Sequence, residues 1–332
     1  MDNTHLINLM EKEKVNEAVD YLNSELKKSD ADRAQLNIRL SDVYLHIDIK
    51  KSVEFLEESF IYSSFISKKN RMRLIIKYCM RLNDLDLRRN WEKIEFLLHQ
   101  SLEENQEYVS PRAQSLLILS ENYFLRRDFD NYDKYINTTK EFILQNEFED
   151  KDELYSYLLY IEASYYLRND LQISKKSILK AMNLTNDSYY LFRYKLQYSR
   201  NFFLEDLNKS ISIVKNLLKQ LNDSNLIKEY HHPWKDIELE CYFTLSYYYY
   251  SQRDYQKALD YIKKSYKLSK NTNSIEMIGE CLMFQTMILA QLNDYEVFLR
   301  VKQKALNYCK KMKYKDLIVD IKGIKFYNAT NI

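Results

Sequence analysis

Glycine and proline are almost missing from this chain, which holds two of each in 332 residues, where average usage would supply roughly 7% and 5%. Strand-rich folds spend such residues at their many turns, so a β or mixed architecture is excluded and an almost wholly helical protein is expected. Loops that cradle phosphates need several glycines close together, so that backbone N–H groups can approach the ligand. Gly279 and Gly323 lie 44 residues apart, which excludes a Rossmann fingerprint, a Walker loop and a kinase-type glycine-rich loop. An apolar run of about 18 residues, the length a bilayer span requires, is also absent. No membrane is expected as a partner. The first residues, Met1 to His5, lack the basic flank and apolar stretch of a secretory leader.

Chemistry-bearing motifs are equally scarce. Cys79, Cys241, Cys281 and Cys309 stand singly, a usage that fits buried free thiols in a reducing cytoplasm. The histidines are His5, His46, His99, His231 and His232. The adjacent pair would point to different faces of a helix, and the residue a turn beyond His231 is Lys235, which is no metal ligand. No nucleophile elbow, zincin helix or paired-cysteine motif occurs. Catalysis, a metal and a cofactor are therefore not expected. Lys+Arg number 50 against 48 Asp+Glu. Basic stretches at 68–89 and 302–325 read as solvated helix faces, and nucleic acid is not expected as a partner.

What the chain does have is a repeating grammar. Leu245, Ser246 and Tyr249 precede Asp254 by nine, eight and five residues, and Tyr255, Ala258, Ile262 and Ser265 follow it by one, four, eight and eleven. Small or apolar residues at helical spacing on both sides of a polar break describe two helices joined by a tight turn. Asp254 stands where it can cap the second helix, and Ala258 is expected at the close contact within the pair. The same offsets return around Asp48, Asn90, Asp128, Asp170, Asp206 and Asp294, and around Lys14 near the start. In the Asp294 copy Gln285 and Lys302 occupy core offsets that suit neither of them. Pro233 is expected to start a helix, and 221–235 marks a subdivision within a single array over 1–332.

The segment around Asp254 resembles the tetratricopeptide repeat. Leu245, Tyr249, Tyr255 and Ala258 match its core positions, with Ser246 in place of the usual Gly and Lys270 in place of the usual Pro. The resemblance implies an all-α fold: an α-solenoid, a right-handed superhelix of about eight helix pairs with a closing helix at 316–326. The anchors average 40 residues apart, as in the long-repeat domains of bacterial peptide-pheromone receptors. Those proteins add a helix-turn-helix or a phosphatase-like bundle, whereas residues 1–60 here read as repeats. The richness in Lys, Asn, Ile and Tyr points to a low-GC bacterial genome.

In this family the first helix of each pair lines a concave surface, and offsets of eleven, seven and four before the turn residue point there. They select Glu121 and Phe124; Tyr166; Lys195, Ser199 and Phe202; Phe243, Tyr247 and Tyr250; Met283 and Met287. Tyrosine and methionine supply large, adaptable contact area. The expected function is that of a non-enzymatic cytoplasmic bacterial regulator whose groove holds a peptide or a segment of a partner protein. The alternative is a scaffold or adaptor for one effector protein; a nucleic-acid-binding regulator ranks below both. A homodimer through the C-terminal repeats is a further partner expectation.

Overall fold

A computed structural model describes residues 15–25, 30–45, 48–104, 106–223, 233–292 and 294–326. Of these, 85% are helical, and they contain no strand. The chain divides into two compact units that meet in sequence at Asn201 and Phe202. The lysine at 14, the histidines at 5, 46, 231 and 232, and most of the 221–235 subdivision lie outside the described residues.

Unit 1 contains α1 (Val15–Glu25), α2 (Asp30–Leu45), α3 (Ile49–Ile61), α4 (Lys68–Glu104), α5 (Val109–Leu125), α6 (Phe129–Gln145), α7 (Lys151–Tyr166), α8 (Leu171–Leu184) and α9 (Ser188–Arg200). Unit 2 contains α10 (Leu207–Asp223), α11 (Pro233–Ser251), α12 (Tyr255–Asn271), α13 (Ile275–Leu289), α14 (Tyr295–Met312) and α15 (Lys315–Gly323). Pro233 opens α11 as expected, because the first turn of a helix has no use for the missing N–H. Within each unit successive helices pack on one another, and first helices also touch directly, α5 on α7, α7 on α9 and α13 on α15.

The aspartate anchors act as expected. Asp48, Asp128, Asp170, Asp206, Asp254 and Asp294 each precede a second helix and accept from its first-turn backbone N–H groups, at 2.9 Å in Asp206 and 3.0 Å in Asp294. Each such cap is worth about 1 kcal/mol. One anchor moves. The break expected at Asn90 falls at Asp86, whose φ of −171° and ψ of 90° interrupt α4. The two halves of α4 fold back on each other about that residue: Lys93 meets the Tyr78 hydroxyl, and the Asn90 amide donates to the carbonyls of Leu82 and Asp86 at 3.4 and 2.8 Å. Asn90 thus occupies the offset that Ala258 occupies elsewhere, and satisfies its amide across the pair.

Serine does the work that glycine does in closely packed helices. At the offsets where helices of a pair approach, Ser41, Ser52, Ser59, Ser120, Ser174, Ser246 and Ser265 are fully buried. Ser52 donates to the Ser41 carbonyl at 2.7 Å, Ser174 to that of Ala163 at 2.7 Å, and Ser265 to that of Leu239 at 3.2 Å. Ser246 donates to the Ala258 carbonyl at 2.7 Å. Small side chains let the backbones approach, and the hydroxyl satisfies itself on the facing helix. Ala258 is 0% exposed within this seam. Ala258→Leu should therefore overpack the α11–α12 contact and cost about 1–3 kcal/mol. Urea unfolding measures it, and an unshifted midpoint would remove Ala258 from the contact.

Lys302, at a core offset, resolves differently. Its ammonium donates to the carbonyls of Lys322 and Ile324 at 3.3 and 2.5 Å, so it caps the C-terminal end of α15, where a cation is favourable. All four cysteines are buried and free of disulfides. Burial pushes the Cys79 and Cys281 thiols up to about 12, which leaves them protonated and unreactive at neutral pH.

Candidate binding faces on the first helices

In unit 2 the offsets select one aromatic face. Phe243, Tyr247 and Tyr250 recur at helical spacing along α11 and converge on Phe284 of α13, with ring centroids 5.5, 6.0 and 5.5 Å away. Phe284 is buried at 4% exposure, while Tyr247 stands 44% exposed. On its other side Tyr247 packs against Phe203 at 5.1 Å. An exposed tyrosine is thus held upright by rings on both sides. Tyr248, next in sequence, is 1% exposed and stacks on the same Phe203 ring from within the core, at 5.6 Å. Tyr250 also meets Tyr255 across the turn at 5.5 Å. Met283 is half-buried and packs into the small core of Leu282, Tyr314 and Leu317, and Met287 is half-buried on the same helix.

In unit 1 the corresponding face is polar at its centre. Glu121 of α5 accepts from the Tyr157 hydroxyl of α7 at 2.6 Å. Burial raises the Glu121 pKa; the Arg193 guanidinium of α9 and the Tyr157 hydroxyl oppose that rise, and Asp84 adds to it. Arg193 in turn lies over the Tyr160 ring at 5.4 Å. Tyr157, Tyr160, Tyr190 and Tyr194 form a continuous set of ring contacts between α7 and α9, at 5.4–6.1 Å. Phe124 is half-buried against Tyr132 at 5.7 Å. Tyr166 closes α7, half-buried against Tyr165 at 5.1 Å. Lys195 is half-buried with its ammonium 5.5 Å from the Phe192 ring.

Two selected residues do not reach an open face. Ser199 is fully buried, and its hydroxyl donates to the Leu196 carbonyl at 2.6 Å. Phe202 is 9% exposed and covered by Lys209, whose ammonium lies 3.8 Å from the ring centroid. At Phe202 the reason is local: α9 ends at Arg200, so the offset of four counted back from Asp206 falls beyond the helix. Sequence reasoning in turn missed Phe203 and Phe284, which support Tyr247, and Tyr157 and Arg193, which flank Glu121. Tyr157 and Arg193 each lie thirteen residues before their anchors, and that shared register was the available signal.

No family model matches the chain, and no curated protein matches it. Solved structures do. A signal-transduction ATPase with numerous domains and a tetratricopeptide repeat sensor, from Pyrococcus horikoshii, superposes at a TM-score of 0.52 with 16% identity, over 94% of this chain and 50% of that one. The fold is that of tetratricopeptide-repeat solenoids. Rap protein complexed with Competence and Sporulation Factor superposes at 0.63 with 11% identity, over 88% of this chain and 80% of its own. NprR in complex with its cognate peptide NprX does so at 0.58 with 12% identity, over 86% and 81%. Identities this low carry the solenoid architecture and leave the occupant of the tetratricopeptide-like faces to their own chemistry. Among the described residues no helix is long and apolar enough to cross a membrane, and no three His, Cys, Asp or Glu side chains gather to hold a metal.

Proposed function

We propose that this chain binds a peptide, or a segment of a partner protein, on its first-helix faces, and that it serves as a non-enzymatic cytoplasmic regulator of bacterial origin. The observation that carries the reading is Tyr247. A large amphipathic side chain, exposed yet immobilised by Phe203 and Phe284, loses little rotamer freedom when a partner covers it, which is the character of an interface anchor. The NprR and Rap structures, which share the fold, are complexes with a cognate peptide and with Competence and Sporulation Factor, so the architecture accommodates such ligands. Panning a random linear-peptide library on the full chain tests the reading. Enriched peptides should compete with one another and lose binding to Tyr247→Ala. Failure to enrich, or enriched peptides indifferent to Tyr247, would sink it.

A further inference from the structure

Charge is sorted by layer in unit 2. The second helices are basic: α12 carries five lysines against Asp260, α14 five basic residues against Glu296, and α10 three lysines against Asp223. Of the first helices, α15 is balanced, with Lys315 and Lys322 against Asp316 and Asp320, and α11 and α13 reverse the bias. α11 has Lys235 against Asp236, Glu238 and Glu240, and α13 has Glu276 and Glu280 with no basic residue. Nothing in the fold demands the sorting. In unit 1, α3 carries two lysines against three glutamates, and α6 two lysines against three acidic residues, with α8 alone sharing the basic bias.

The basic layer is also organised. Lys215 of α10 and Lys257 of α12 lie over the same Tyr249 ring, at 5.5 and 5.4 Å. Tyr249 stacks on Tyr261 at 5.5 Å with 2° between the planes. Lys264 lies 5.1 Å from the Tyr261 ring centroid, and Lys304 of α14 lies 4.7 Å from that of Tyr266. A ribbon of lysines on tyrosines therefore crosses three successive second helices. Among the described residues the lysines of these helices have one carboxylate partner, Asp254 on Lys257 at 2.7 Å. Concentrating like charge without counter-charge opposes folding, and the cation–π contacts offset only part of that cost.

We propose that the second-helix face of unit 2 is a docking surface for an acidic segment of a partner protein. Charge complementarity names the sign, and the details name the class. Single-stranded nucleic acid needs free ring faces on which bases stack, but these rings are occupied by one another and by ammonium groups. Phosphate recognition favours the bidentate guanidinium fork, yet Arg300 is the one arginine on the three helices. What the surface offers is an array of exposed point charges, suited to a run of carboxylates and to fast, salt-sensitive association.

Poly-L-glutamate is the probe, titrated against the full chain at increasing salt. Binding should weaken steeply as salt rises, and the triple variant Lys264→Glu, Lys267→Glu, Lys304→Glu should lose at least about tenfold in affinity. A control of equal charge change in unit 1, Lys69→Glu, Lys134→Glu, Lys176→Glu, should bind as the parent does. All six lysines are exposed, and thermal melts verify that the variants fold. If the reversal fails to fold, the same three positions as glutamine replace it. The proposal is overturned if the chain ignores poly-L-glutamate, or if the control loses as much affinity. It is equally overturned if oligo-dT or phosphatidylserine vesicles bind more tightly than poly-L-glutamate and lose that binding in the same triple variant. Tyr247→Ala should leave poly-L-glutamate binding unchanged, which separates this surface from the first-helix face.

Discussion

Phe284→Ala is expected to lower the unfolding free energy by about 3–5 kcal/mol. Phe284 is 4% exposed, and its ring is the point on which Phe243, Tyr247 and Tyr250 converge. Truncation removes the transfer energy of the ring and leaves a cavity that three aromatic side chains on a well-packed helix cannot fill without moving. Phe284→Leu should cost distinctly less, because most of the volume is kept. Urea denaturation with the slope monitored gives both values. A loss below about 1 kcal/mol for the alanine variant would show that the aromatic face of α11 and α13 is not a packed platform at all.

Tyr247→Ala should do the opposite kind of damage. At 44% exposure the side chain contributes little to folding, so unfolding should shift only slightly. Peptide binding on the first-helix face should fall by about 2 kcal/mol or more, close to thirtyfold. Leu245→Ala is the internal control. Leu245 is 0% exposed, so the variant should unfold early and bind normally while folded. If Tyr247→Ala behaves as Leu245→Ala is expected to, Tyr247 belongs to the core and the binding reading loses its anchor. Measuring melts and titrations on the same preparations separates the two outcomes.

The architecture was legible because its punctuation is chemical. An aspartate followed by a helical pattern is an N-cap before it is anything else, and six such anchors stand where the offsets put them. The exception, Asp86 for Asn90, is instructive. Both residue types favour turns, and a shift of four positions is nearly one helical turn, so Ile94 and Leu98 are buried in either register. The apolar pattern could not choose between them; backbone geometry at Asp86 did. The binding faces were legible only where the turn is short. On α11 the helix runs to Ser251, three residues before its anchor, and Phe243, Tyr247 and Tyr250 share a face. On α9 the helix stops six residues short, and counting back from Asp206 lands on buried Phe202. The partners from neighbouring helices were invisible for another reason. That Phe284 supports Tyr247, or that Tyr157 and Arg193 flank Glu121, depends on how one pair stacks on the next.

The serine seam bears on how unit 2 deforms. Within the α11–α12 pair, directed hydroxyl-to-carbonyl bonds tie one backbone to the other at Ser246 and Ser265. Such bonds weaken steeply with misalignment. Between α11 and α13 the contact is ring on ring, at 5.5–6.0 Å, and aromatic contacts accept a range of offsets and tilts. The hydroxyl-tied pair therefore resists sliding more than the ring-on-ring joint does. A small lateral shift of α13 on α11 keeps the rings in contact, so a ligand that leans on Tyr247 meets a support that adjusts by offset and tilt without breaking a hydrogen bond.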